Sequence, residues 1–149
     1  MLLTGTHPRT LDDKNRLTLP KRVREVMGEP TILYVTPGPD KSLWIFTEAE
    51  LEKLSQKLDE LPATNAEAKL FRRLYFAQTE TVDVDKTGRI LVPERLNKFA
   101  DLGKEVVLIG VRDHLELWHA GRWQAFNDEN LDTFDQAAEQ AFNARNSRI

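Results

Sequence analysis

The strongest constraint on this chain is that one segment occurs in it twice. Leu11-Asp12-Asp13-Lys14-Asn15-Arg16-Leu17-Thr18-Leu19-Pro20 returns as Val84-Asp85-Lys86-Thr87-Gly88-Arg89-Ile90-Leu91-Val92-Pro93, an offset of 73 residues (85 minus 12). Each copy reads Asp-x-x-x-Arg, a short apolar alternation and a proline. Asn15 and Gly88 tolerate positive φ, so Lys14-Asn15 and Thr87-Gly88 predict tight turns. Leu17 with Leu19, and Ile90 with Val92, alternate at the period of a half-buried strand. Pro20 and Pro93 suit the first turn of a helix, where no N–H is needed. The repeated unit is therefore strand, charged turn, strand, helix.

Further elements follow in order. Lys21 to Met27 predicts a short helix stopped by Gly28 and Pro30. Thr31 to Thr36 and Leu43 to Phe46 predict two strands joined at Pro37-Gly38-Pro39-Asp40. Thr47 with Glu50 forms a capping box for a helix from Glu48 to about Leu61, and Thr64 with Glu67 forms a second one ahead of Ala68 to Gln78. The stripe Leu70, Phe71, Leu74 and Tyr75 on this linking helix predicts a core-packing surface. In the second copy, Arg95 to Ala100 predicts the short helix, and Glu105 to Val111 and Leu115 to Trp118 predict the strands. Leu131, Phe134, Ala138, Ala141 and Phe142 share one helical face, which predicts a docked amphipathic tail before fraying at Asn146 to Ile149.

The twofold Asp-x-x-x-Arg pattern, each copy followed by the same strand and helix, resembles the swapped-hairpin DNA-binding domain of the SpoVT/AbrB type. In duplicated form, with the opening Gly5-Thr6-His7-Pro8-Arg9-Thr10-Leu11-Asp12, it is similar to the MraZ family of bacterial transcriptional regulators. The resemblance covers nearly the whole chain. It implies an α+β fold of two tandem swapped-hairpin repeats in one pseudo-symmetric domain, with flanking helices. The expected divisions are residues 5–49 for the first repeat, 50–77 for linking helices, 78–121 for the second repeat and 122–149 for a helical tail. It further implies binding to short G-rich direct repeats in the promoter of the cell-division and cell-wall gene cluster, a cytoplasmic, nucleoid-associated location and assembly into a ring. No cofactor, metal, membrane or small-molecule substrate is expected.

Charge refines where DNA would bind. The net charge of −3 and pI near 5.7 exclude a uniformly basic coat, so contact must come from local clustering. Arg9, Lys14, Arg16, Lys21, Arg22 and Arg24 in the first copy face only Asp12 and Asp13, whereas acidic and basic residues nearly balance in the second. An arginine fork satisfies a carboxylate, a phosphate or a guanine edge, so Arg16 can be held by Asp12 until DNA arrives. Arg9, Lys14, Lys21 and Arg22 are expected phosphate contacts, which position without reading sequence. Asp85 and Arg89 are expected to be mainly structural.

Enzyme readings fare poorly. The absence of cysteine removes thiol chemistry and Cys-based metal sites, and there is no phosphate-binding glycine loop. Asp83 with Asp85 could share a strand face, but such pairs are common beside turns, and His114 and His119 project to opposite faces. The opening residues lack a basic, apolar leader and no segment approaches a membrane span, so the reading is a soluble intracellular protein. The rival class is an antitoxin-like protein-interaction module with incidental DNA binding; the amphipathic tail disfavours it, because a toxin-wrapping tail would be disordered. Leu43-Trp44-Ile45-Phe46 aligns with Leu115-Glu116-Leu117-Trp118, which puts Trp44 where the second copy has a charge. The expected cover for Trp44 is a neighbouring subunit, with the linking helix as the alternative.

Overall fold

The computed structural model describes residues 1–62 and 64–146. The first half contributes β1 (Thr6–Thr10), β2 (Arg16–Thr18), α1 (Lys21–Val26), β3 (Ile32–Pro37) and β4 (Leu43–Phe46). The linking helices are α2 (Glu48–Asp59) and α3 (Ala66–Gln78). The second half repeats the order as β5 (Glu80–Asp83), β6 (Arg89–Leu91), α4 (Glu94–Ala100), β7 (Glu105–Gly110) and β8 (Leu115–His119). The chain continues through α5 (Ala120–Asn130), a 3₁₀ turn (Leu131–Thr133) and α6 (Phe134–Asn146).

The halves are interlocked. A six-stranded antiparallel sheet has the order β1-β7-β8-β4-β3-β5, so the first strand of each half pairs with a strand of the other. Residues 5–49 and 78–121 are therefore successive in sequence but shared in space. The pseudo-twofold axis runs between β4 and β8, where Trp44 lies opposite Glu116. A second, two-stranded sheet joins β2 to β6, again one strand from each half.

Period-two alternation then sorts the core. Leu33, Val35, Leu43, Ile45, Val106, Leu108, Leu115 and Leu117 form the inner face of the large sheet. Against them pack Leu17 and Ile90 of the small sheet, with Val23 of α1 and Leu96 and Ala100 of α4. Each such aliphatic side chain contributes about 1.5–3 kcal/mol on full burial. The outer face of the sheet is covered separately: Phe46 packs with Leu51 of α2 and Tyr75 of α3, and Val107, Ile109 and Trp118 pack with Trp123 of α5. The β2–β6 ribbon and the long helices thus occupy opposite sides of the sheet.

Three local expectations need correction. Of the linking helix, only Ala68 and Tyr75 are buried, while Leu70, Phe71 and Leu74 are 57%, 49% and 55% exposed. The outer face of β3 and β4 is already filled by Phe46, Leu51, Leu54 and Trp44, so one edge of α3 suffices to close it. The tail is helical but not docked, with Phe134 and Phe142 exposed at 66% and 71%. Third, α3 is capped by Asn65, whose side chain accepts from the Ala68 N–H at 3.0 Å, one residue after the expected Thr64. Asparagine is the stronger N-cap and sits at the right reach. The expected fraying reaches residues 147–149, which lie outside the described residues.

Candidate nucleic-acid interface

Both Asp-x-x-x-Arg turns are built alike. Asp12 Oδ1 accepts from the backbone N–H groups of Lys14 (2.9 Å) and Arg16 (2.8 Å), and the Asn15 N–H donates to the Asp12 carbonyl at 2.9 Å. Asn15 carries φ +60°, as its turn position requires. Arg16 Nε then donates to Asp12 Oδ2 at 2.6 Å. In the second copy Asp85 Oδ1 accepts from the N–H groups of Thr87 and Arg89 and from the Thr87 hydroxyl, while Arg89 Nε reaches Asp85 Oδ2 at 2.9 Å. The hydrogen bond from the Arg89 N–H, then the Thr87 hydroxyl, hold the Asp85 carboxyl far below the ordinary carboxylate range. The Arg16 N–H leads the same effect at Asp12.

Each carboxylate takes up the Nε edge of its arginine. The Nη edge of each guanidinium makes no further hydrogen bond among the described residues. The antiparallel register Arg16↔Leu91, Leu17↔Ile90 and Thr18↔Arg89 puts Leu17 and Ile90 into the core. Arg16, Thr18, Arg89 and Leu91 consequently share the outward face of one ribbon. The arginine side chains are equally accessible, at 35% and 34%. Geometry draws no line between a DNA-facing Arg16 and a structural Arg89.

The surrounding cations do differ between the copies. Lys14, Lys21 and Arg22 are exposed and form no ion pair among the described residues. Arg9 is tied down, donating from Nε to the Thr18 carbonyl (3.2 Å) and from Nη1 to the Pro8 carbonyl (2.8 Å), so it braces the ribbon edge. In the second copy Arg95 approaches Glu80 at 3.8 Å and Lys98 approaches Glu94 at 3.4 Å.

Sequence reasoning missed one residue of this surface, Leu91, and counted another, Arg24, only towards the charge of the first copy. Leu91 is 54% exposed on the ribbon between two arginines, a position that is Thr18 in the first copy. The repeat alignment carried that signal. Arg24 of α1 lies across the second turn: a Cβ on Gly88, which has φ +81°, would collide with Arg24 Nε. That Nε is buried without a hydrogen-bond partner.

On the opposite side, Trp44 is covered from within the chain. Its indole stacks on His114 (centroids 3.9 Å, 21° between planes), with Phe46 at 5.9 Å and Leu54 of α2 beside it. Trp44 is thus half-buried against its own chain, and the α3 stripe takes no part in its cover. His114 Nδ1 lies 2.7 Å from Asp113 and Nε2 lies 3.2 Å from Glu116, which also accepts from Trp118 Nε1 at 3.0 Å. Burial pushes the His114 pKa down, but the two carboxylates together outweigh it and leave it raised. This histidine has a packing role. His7 bonds the Thr4 carbonyl and His119 caps α5 through the Arg122 N–H, so the histidines form no common site. No helix among the described residues is long and apolar enough to cross a membrane.

With two equivalent turns on one shared ribbon, the duplication can be compared with known families. Residues 2–74 and 75–145 each match the profile of the family described as "MraZ protein, putative antitoxin-like". The chain belongs to the MraZ family. It is 38% identical over 139 residues to the Clostridium tetani protein named transcriptional regulator MraZ, covering 93% of this chain and 96% of that one. The Saccharopolyspora erythraea protein of the same name is 41% identical over 139 residues, with the same coverage of both chains. That of Caldicellulosiruptor saccharolyticus is 41% identical over 131 residues, covering 87% of this chain and 90% of the relative. The family is one of transcriptional regulators rather than enzymes, and its two matched segments divide this chain between α3's Leu74 and Tyr75, ahead of the second turn.

Proposed function

We propose that this chain is a sequence-specific DNA-binding transcriptional regulator whose β2–β6 ribbon enters the major groove. The observation that carries this reading is the pair of arginines on one outward ribbon face, each oriented by an aspartate through Nε with the Nη edge left open. A two-stranded ribbon fits that groove, and an arginine fork matches the O6 and N7 acceptors of guanine. Arg16 and Arg89 are the base readers, and both halves take part. Lys14, Lys21 and Arg22 neutralise phosphates, while Arg9 braces the edge. Leu91 and Thr18 offer apolar contacts to thymine methyl groups beside the guanines.

The resemblance supplies the finer reading: the target is a set of short G-rich direct repeats in the promoter of the cell-division and cell-wall gene cluster. It also implies a ring of copies, so that several ribbons engage successive repeats and weak contacts sum through effective concentration. The apolar faces left open on α3 and α6 support self-association. The same faces favour a second reading, binding of another polypeptide, as the family description suggests; the helical order of α6 speaks for the regulator.

The test is in vitro selection from random duplexes, followed by binding measurements on the selected site. Arg16→Ala and Arg89→Ala should each cost about 1–3 kcal/mol, roughly 5- to 150-fold in affinity, and relax the preference for guanine. Full-strength, guanine-selective binding by both variants would sink the ribbon as the reading head.

A further inference from the structure

We infer that Arg24 is a phosphate-binding residue of the reading head, acting with Lys21 and Lys86 at the end of the ribbon that carries Arg89. This rests on the DNA-binding ribbon proposed above and names where that ribbon grips the backbone of the duplex. The first repeat supplies most of the grip, but it serves the second turn.

The crossing follows from the antiparallel ribbon. Past Thr18 the chain runs alongside the second turn, where the Leu19 N–H donates to the Gly88 carbonyl at 2.9 Å, and α1 begins at Lys21. Past Leu91 it runs alongside the first turn, where the Val92 N–H donates to the Asn15 carbonyl at 2.9 Å, and α4 begins at Glu94. Each turn is therefore flanked by the short helix of the other repeat. These helices differ in charge at matched positions: at the offset of 73 residues (94 minus 21), Lys21 corresponds to Glu94 and Arg24 to Asn97. Asn97 lines a groove with Asp12, Asp13 and Asn15, whereas Arg24 lies against Gly88.

What marks Arg24 is that its own chain leaves it unused. The side chain is 21% exposed and makes no hydrogen bond among the described residues; its Nε is enclosed, and its one ion pair among them is a long contact with Glu29 at 3.8 Å. A guanidinium stays charged, and one that is largely buried without hydrogen-bond acceptors is disfavoured until an anion completes it. Gly88 is fitted to it, since any Cβ there would collide with the guanidinium. Lys21 lies three residues before Arg24 on the same helix face, and Lys86 lies in the turn itself. Both are exposed and form no ion pair among the described residues. At the first turn the corresponding cations are engaged, Lys104 with Asp13 at 3.8 Å and Lys98 with Glu94 at 3.4 Å. A planar fork between two ammonium groups suits a phosphodiester, bidentate from the arginine and as point charges from the lysines. Such a contact reads no base; it fixes the register of the Arg89 end on the duplex.

A salt series on the full chain with its selected duplex tests this. Arg24→Gln should lower the slope of log affinity against log salt by about 0.9, and Lys86→Ala by about as much, while Arg24→Lys should nearly keep it. The preference for guanine should survive in all three. A merely structural Arg24 would change the thermal melt and leave the slope alone. Because Lys86 is exposed, Lys86→Ala keeps the test standing should Arg24→Gln fail to fold. Methylphosphonate linkages, which remove the charge of one phosphate at a time, then locate the contact. The linkage that weakens the wild type but not Arg24→Gln should adjoin the guanine that Arg89→Ala no longer selects. An unaltered slope in Arg24→Gln or Lys86→Ala, or a contact beside the guanine read by Arg16, would overturn the proposal. Full-strength, guanine-selective binding by Arg16→Ala and Arg89→Ala would overturn the ribbon reading beneath it.

Discussion

The two repeats share a backbone and diverge in what surrounds it. Asp12 and Asp85 fold their turns through equivalent bonds, and Arg16 and Arg89 end at the same exposure on one ribbon. Yet among the described residues the first copy leaves Lys14, Lys21 and Arg22 without ion pairs, while in the second Arg95 and Lys98 approach Glu80 and Glu94 and only Lys86 is left open. On the far face the first repeat places Trp44 where the second places Glu116, and the two are cross-strand partners. Duplication has kept the geometry that aims an arginine and released the positions that set field strength and packing. A repeat pair on a pseudo-twofold axis permits this, because a residue and its equivalent can be opposed directly and need only complement one another.

The largest expected effect comes from erasing that complement. Trp44→Glu, which copies the second repeat into the first, removes an indole packed on His114 and Phe46 and sets two carboxylates directly opposite. Losing a large aromatic of this kind costs about 3 kcal/mol, and like charges across a strand pair add to it. Thermal melting should show the loss in a chain whose assembly state, while folded, is unchanged. A chain of wild-type stability that falls apart into monomers would instead return Trp44 to a subunit interface.

Next comes the turn itself. Gly88→Asn copies the first repeat into the second, and asparagine accepts positive φ, so backbone strain alone predicts a small cost. Arg24 changes that prediction, since any Cβ at Gly88 collides with its guanidinium. We expect a loss on the order of 1 kcal/mol, because the half-buried Arg24 side chain, whose Nε has no hydrogen-bond partner, must swing aside. A double-mutant cycle with Arg24→Ala should recover most of it, a coupling that two independent sites would not show. If the cycle is additive, Arg24 is not what distinguishes the turns.

These cases mark how far the sequence could be read. The repeat, its turns, the strand order within each half and the arginines were legible because they follow from local rules: positive φ at Asn15 and Gly88, alternation at Leu17 and Ile90. The sharing of strands between halves was available only through resemblance, since alternation says which face is buried and not which strand lies alongside. The α3 stripe misled for a related reason. Helical spacing identifies an apolar face, but whether the molecule has room left to bury it depends on Phe46, Leu51 and Trp44 having already filled the sheet. Leu91, and the place of Arg24 across the second turn, were missed because their meaning depends on neighbours from the other repeat.

Electrostatics offers a smaller and cleaner separation of the repeats. If Lys21 and Arg22 contact phosphate, replacing both by alanine should lower the slope of log affinity against log salt by about 1.8, at about 0.9 per contact. Equivalent changes at Glu94 and Arg95 should hardly alter it, because one removes an anion and the other a cation already near Glu80. Fluorescence anisotropy across a salt series measures both. Equal slopes for the two double variants would mean that the repeats meet the DNA backbone alike, and that the imbalance of charge between them is incidental.

The smallest effect tests the likeness of the turns rather than their difference. Both aspartates have folded-state pKa values below the unfolded one, so each contributes stability that is present above about pH 4 and lost as pH falls through its folded value. They should not let go together. Asp12 accepts the N–H groups of Lys14 and Arg16 and the Arg16 Nε, whereas Asp85 has the Thr87 hydroxyl as an additional donor at 2.8 Å. A carboxylate with more donors holds its proton off to lower pH. Carboxyl carbon shifts followed by NMR during acid titration should therefore show Asp12 protonating first, with the Arg16 end of the ribbon loosening while the Arg89 end still holds. Thr87→Val removes the extra donor and leaves the backbone N–H in place, so it should bring the Asp85 midpoint up towards that of Asp12. Coincident midpoints in the unsubstituted chain would show that the hydroxyl contributes nothing and that the two turns are electrostatically the same.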